Sequence, residues 1–83
     1  MPVEIKLIGF GDYLPARFNG KNRLRLDIET PASVRAILKS AGIDEAPDLI
    51  SMDAETVIPP SQWDEPRFGE DATLTVLSAI EGG

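Results

Sequence analysis

The sequence predicts an α+β fold, a mixed sheet of four to five strands wrapped around one main helix. Three observations carry this. Both ends of the chain alternate apolar and polar residues with a period of two, the signature of strands with one face in a core. A single central stretch repeats its apolar residues at helical spacing. The elements run strand, strand, helix, strand, short strand, strand, so one small helix must cover one face of the sheet.

The first strand is read from Val3, Ile5 and Leu7, which alternate with Glu4 and Lys6. Continued alternation places Ile8 and Phe10 on the opposite face, with Gly9 and Gly11 weakening the strand's end. The connection DYLPARFNGKN holds Pro15 and an Asn19-Gly20 pair, which supplies the positive φ angles of a tight turn. Leu24, Leu26 and Ile28 then alternate with charged residues and form a second strand, antiparallel to the first.

The helix is TPASVRAILKSAGI. Ser33 is placed to cap it by accepting a hydrogen bond from a backbone N–H that has no partner within the helix. Val34, Ile37, Leu38 and Ala41 form its apolar stripe. Gly42 suits the left-handed position that ends helices, and Ile43 after it can fold back onto Leu38. Pro47 and the acids around it make a linking loop.

DLISMDAETVI reads as a hairpin, Leu49–Met52 and Thr56–Ile58 around a turn at Asp53–Glu55. Pro59-Pro60 stops strand pairing, because proline has no N–H to donate. SQWDEPRFGED is a loop with one helical turn near Trp63, and Trp63 and Phe68 are expected to pin it to the core, a binding-site role for either being the alternative. Ala72–Ser78 is the last strand, with Leu74 and Val76 on one face and Thr73, Thr75 and Leu77 on the other. The first and last strands are the most apolar, so they are expected in the centre of the sheet, paired in parallel.

Composition narrows the chemistry. Eighty-three residues suit one domain with a small core. The longest apolar run is only a few residues, and the N-terminus lacks the pattern of a signal peptide, so a cytoplasmic protein is expected. There is no cysteine and no histidine. Disulfides, zinc–thiolate sites, histidine-ligated metals and Ser-His-Asp or Cys-His catalysis are thereby excluded. The net charge of −6 is uneven: residues 44–71 carry nine acids against Arg67 alone, while residues 1–43 carry seven bases against four acids. This acidity argues against nucleic acid and favours a basic partner surface, although solvated loop charges explain any single acid as well. Arg17, Lys21, Arg23 and Arg25 make a modest basic patch, read more simply as a solvated loop and strand face.

The sequence closes on SAIEGG, and a terminal Gly-Gly adds nothing to a fold. It is either a frayed end or a functional tail. Three stretches, VEIKLIGF, PASVRAILKSAGI and GEDATLTVLSAIEGG, together with the middle hairpin, resemble the MoaD/ThiS sulfur-carrier family, whose fold is the ubiquitin-like β-grasp. The resemblance implies that the chain is no enzyme but a co-substrate. The carboxylate of the last glycine, Gly83, would be adenylated with ATP on a partner of the ubiquitin-activating type. The acyl-adenylate would then become a thiocarboxylate that gives its sulfur to a synthase making molybdopterin, thiamin or another sulfur-containing metabolite. No permanently bound cofactor, metal, nucleic acid or membrane is implied.

On this resemblance Gly82, Glu81 and Ile80 would thread a narrow cleft of the partner, where residues without Cβ let the backbone approach closely. The tail, residues 78–83, is expected to be flexible. Ile8, Phe10 and Leu77 are the candidate docking residues, since an exposed apolar cluster marks a partner site. Alternatively, the DYLPARFNG connection covers Ile8 and Phe10. The chain departs from the family in its long Pro59–Arg67 segment and in Leu77-Ser78-Ala79-Ile80, which replaces a run ending in two prolines. The pathway therefore stays open, and so do two other functions: a protein modifier conjugated to lysines through Gly83, and a β-grasp interaction module with an incidental tail.

Overall fold

In a computed structural model of the chain, residues 1–11, 14–45 and 48–78 are described. Strand β1 spans Pro2–Ile8, β2 Arg23–Asp27, helix α1 Val34–Ala41, β3 Leu49–Asp53, β4 Thr56–Ile58 and β5 Thr73–Ser78. They form one five-stranded sheet in the order β2-β1-β5-β3-β4. β1 and β5 pair in parallel at its centre, Ile5 opposite Leu74 and Leu7 opposite Val76. The other three pairings are antiparallel. This is the ubiquitin-like β-grasp arrangement.

The period of two decides which side chains enter the core. Val3, Ile5 and Leu7 of β1, Leu26 of β2, Ile58 of β4 and Leu74 and Val76 of β5 are all buried. They meet Val34, Ile37, Leu38 and Ala41, the complete apolar stripe of α1. With only eight residues, α1 is too short to be stable by itself, so this packing is what holds it. Its ends are closed as the sequence predicts. The Ala36 amide donates to Ser33 Oγ at 3.1 Å. After the helix, Gly42 takes φ 78, and the amides of Gly42 and Ile43 turn back to the carbonyls of Lys39 and Leu38 at 3.2 and 3.0 Å. Ile43 is buried.

Trp63 and Phe68 do anchor the long segment after β4. Both are buried, and a short 3-10 turn at Pro60–Gln62 leads into Trp63. The Trp63 indole N–H donates to the Ile58 carbonyl at 2.9 Å. Its own carbonyl accepts from the Arg35 amide at 3.0 Å, and Phe68 forms an isolated bridge with Ala32. Arg35 adds a surface tie, its guanidinium pairing with Glu45 and with Asp64, and these two carboxylates hold its pKa above the usual value.

In two places the structure adds core that the pattern does not announce. Phe18 is buried, carried inward by a 3-10 turn at Ala16–Phe18 that ends on Asn19 at φ 52. Ser51 of β3 is buried among apolar residues, and its hydroxyl has no hydrogen-bond partner. Ser78, expected both to end the last strand and to open the tail, is the final residue of β5 and pairs with Leu49. The rest of the expected tail, residues 79–83, lies outside the described residues, as do Asp12, Tyr13, Ala46 and Pro47.

Candidate functional site

The sheet has one face on the helix and one open face. Strand register lays out the open face in rows. Ile8 of β1 stands opposite Leu77 of β5, and Leu77 stands opposite Ile50 of β3. In the next row, Lys6, Thr75, Met52 and Val57 follow one another across β1, β5, β3 and β4. Ile8, Ile50 and Val57 are 41%, 39% and 56% exposed, while Leu77 and Met52 are half-buried. Five apolar side chains thus make a continuous patch that runs from the end of β1 across β5, β3 and β4. A contiguous exposed apolar patch of this kind is the surface feature that marks a partner site.

The β2-β1 half of the same face is charged, and its two arginines, Arg23 and Arg25, are engaged by carboxylates. Arg23 pairs with Glu4 at 3.0 Å, and Arg25 pairs with Asp71 at 3.1 Å. Arg17 donates to the Ser40 carbonyl, and Lys21 is exposed. The four bases are therefore not a free cationic patch: three of them are tied to acceptors within the chain. Exposed pairs of this type are worth about 0–1 kcal/mol each, so they shape the rim of the patch more than they stabilise the fold.

Of the three predicted docking residues, Ile8 and Leu77 are neighbours on the open face. Phe10 is placed differently: it is half-buried and packs against the core cluster. The alternation that set it beside Ile8 ends with β1 at Ile8, because Gly9 takes φ +79 and turns the chain out of the strand. Ile50, Met52 and Val57 belong to the patch and are absent from the sequence prediction. Their signal lies in β3, where polar Ser51 faces the core and Ile50 and Met52 face out. Only Leu49 gives that strand an apolar core residue, so two of its three apolar side chains face outward.

The patch abuts the root of the tail. Ser78 follows Leu77 directly, and its hydroxyl donates to Asp48 Oδ2 at 3.3 Å. Gly83, Gly82, Glu81 and Ile80, the predicted reacting and threading residues, lie outside the described residues. Among the described residues no group of three acids is placed to hold a metal, and no helix is long and apolar enough to cross a membrane. A concavity at the helix C-terminus, lined by Arg35, Lys39, Gly42, Ile43, Asp44 and Glu45, contains none of the predicted site residues.

Fold and open face together define a ubiquitin-like β-grasp protein with an apolar sheet surface leading to its C-terminal strand. Among solved structures the chain is similar to SAMP1 from Haloferax volcanii, at 15% sequence identity and a TM-score of 0.64, over 100% of both chains. At that identity the likeness establishes the fold. None of the protein families compared with the sequence matches it. Nor does any curated protein match it significantly.

Proposed function

We propose that this protein is a sulfur carrier of the MoaD/ThiS type, working in the cytoplasm with an adenylating enzyme of the ubiquitin-activating class. The observation that supports this most is the continuity of β5. The strand lies at the centre of the sheet, contributes Leu77 to the apolar face and ends at Ser78, five residues before Gly83. A partner seated on Ile8, Leu77 and Ile50 is within one extended tail's length of the C-terminal carboxylate, about 17 Å for five residues.

The chemistry asks little of the chain itself. A terminal carboxylate is ionised at neutral pH and resists attack. One of its oxygens attacks the α-phosphorus of ATP on the partner, and pyrophosphate leaves. Hydrosulfide, HS⁻, supplied by the partner system then adds to the acyl carbon, AMP departs with the bonding pair, and loss of the S–H proton leaves a thiocarboxylate at Gly83. That group passes its sulfur to a synthase that builds a molybdopterin- or thiamin-type product. The carrier supplies the reactive end and the docking face, and the partner supplies catalysis. The absence of histidine and cysteine fits that division of labour.

Intact-mass spectrometry of the protein purified from its native host tests the reading, and tests Gly83 as the natural end at the same time. An oxygen-to-sulfur replacement at the C-terminus is expected. Ladders of conjugated proteins would instead identify a modifier that joins Gly83 to lysine amines. A C-terminus in neither state, under conditions that induce the pathway, would leave an interaction module.

A further inference from the structure

Lys6 stands on the open face of the sheet, and among the described residues no carboxylate pairs with it. We propose that Lys6 is the polar specificity contact of the docking face: its ammonium receives an Asp or Glu side chain that projects from an otherwise apolar surface of the partner enzyme. The proposal rests on the carrier reading and deepens it, by giving the chemistry of the surface that seats on the sheet.

Two features of Lys6 carry the inference. The first is that the carboxylates around it are already matched. Glu4 accepts from Arg23 at 3.0 Å, Asp71 from Arg25 at 3.1 Å and Asp27 from the Met1 amino group at 2.6 Å. The second is that Lys6 directly faces another cation, Arg23 of β2. The Leu7 amide donates to the Asn22 carbonyl at 2.7 Å, so the next pair along is a hydrogen-bonded one. The two kinds of pair alternate, which makes Lys6 and Arg23 a non-hydrogen-bonded pair, the kind with the closer side chains. Like charges placed directly opposite are destabilising. Glu4 relieves Arg23, and no described residue relieves Lys6.

The place of Lys6 offers that surplus charge to a partner. It stands opposite Thr75, in one row with Met52 and Val57, and Ile8 is the next residue of β1 on the same face. Lys6 is half-buried. A partner that seats on Ile8, Leu77 and Met52 therefore takes water from the neighbouring ammonium. A charge that loses water without gaining a counter-charge weakens binding, so a partner that fits this face must bring an anion. On a protein surface that anion is a carboxylate side chain. The chain's net charge of −6 suggests a basic partner, but electrostatic fit is decided at contact range. There, the unmatched charge in the rows of the apolar patch is Lys6.

The experiment measures binding and ATP–pyrophosphate exchange of the full chain with an activating-class enzyme that accepts the wild type. It compares Lys6→Gln and Lys6→Arg with Lys39→Gln, since Lys39 is exposed on α1 and controls for the loss of one positive charge. Lys6→Gln is expected to raise Kd, and KM for the carrier, about tenfold or more with kcat little changed, and to flatten the salt dependence of binding. Lys6→Arg is expected to restore most of the affinity, and Lys39→Gln to bind as the wild type does. In the free protein Lys6→Gln is expected to raise the Tm at low salt, because its repulsion with Arg23 is gone. That gain should vanish in about 1 M salt, where screening acts over about 3 Å. A lysine kept for the fold would move the Tm the other way. If the wild type exchanges and Lys6→Gln binds as tightly as it does, the proposal is overturned while the carrier reading stands. If the wild-type chain supports no exchange with any activating enzyme, the carrier reading falls instead. The melts then decide alone: a gain in Tm for Lys6→Gln at low salt upholds Lys6 as a charge kept for a partner, and no gain overturns it.

Discussion

The indole N–H of Trp63 donates to the carbonyl of Ile58 at 2.9 Å inside the core, closing the long segment that follows β4. Trp63→Ala removes both this bond and a large buried surface, which costs about 3–5 kcal/mol. The whole stability of a domain of this size is roughly 0.05–0.15 kcal/mol per residue, so about a quarter of it or more is lost. Trp63→Phe keeps much of the surface but leaves the Ile58 carbonyl without its donor, at about 1–3 kcal/mol. Urea denaturation followed by circular dichroism checks both. A Trp63→Ala protein as stable as the wild type would mean that the loop is not anchored here.

Ser51 gives a prediction of opposite sign. Its side chain is fully buried on β3, opposite Ile58 and Val76, and its hydroxyl finds no partner. An unsatisfied buried hydroxyl costs about 1–3 kcal/mol, and alanine removes it while leaving only a small void. Ser51→Ala is expected to stabilise the protein by about 1 kcal/mol, which for a domain of this size raises the Tm by about 4–8 °C. A lowered Tm would show that the hydroxyl is satisfied in solution.

Much of this architecture is legible in the sequence because the core obeys simple periods. Val3, Ile5, Leu7, Leu74 and Val76 alternate, the stripe on α1 repeats at helical spacing, and Ser33 and Gly42 mark that helix's ends. Phe18 escapes because one turn of 3-10 helix is too short to show any period. Phe10 is misplaced because alternation was carried past Ile8, through a glycine that leaves the strand. Ile50 and Met52 escape because polar Ser51 holds a core-facing position, so β3 shows no ordinary amphipathic pattern. The candidate site was half legible for the same reason: Ile8 and Leu77 lie on regular strands, whereas Ile50 and Met52 lie on the strand that breaks the rule and Val57 on a three-residue strand too short to show a period.

The patch residues make a paired prediction. Ile50→Asp replaces an exposed side chain, and surface changes away from special features usually alter stability by about 0.5 kcal/mol or less. Its effect on docking should be larger, since a central apolar contact in an interface is worth about 2 kcal/mol or more, roughly thirtyfold in affinity. Phe10→Asp should do the reverse of what strand alternation suggests and lower the Tm, because Phe10 packs against the core. Titration calorimetry with the activating enzyme, alongside thermal melts, separates the two. Unchanged affinity for Ile50→Asp would remove the open face as the docking surface.

The final prediction concerns Gly83. Deleting it should leave the fold intact, since among the described residues β5 and the whole core cluster lie at or before Ser78. A terminal glycine buries no side chain and makes few obligatory hydrogen bonds. Adenylation should nevertheless vanish. On the carrier reading, the carboxylate of the shortened chain would stop one extended residue, about 3.3–3.6 Å, short of the full-length position. That exceeds by several times the ~1 Å misplacement that already costs about a hundredfold. Gly82→Ala should be impaired less completely, because its methyl group crowds a cleft shaped for bare backbone without shortening the reach. ATP–pyrophosphate exchange reads both variants, and thermal melts confirm that each remains folded. A truncated chain that exchanges as fast as the full one would mean that the reacting carboxylate is not at Gly83, and the carrier reading would have to be abandoned.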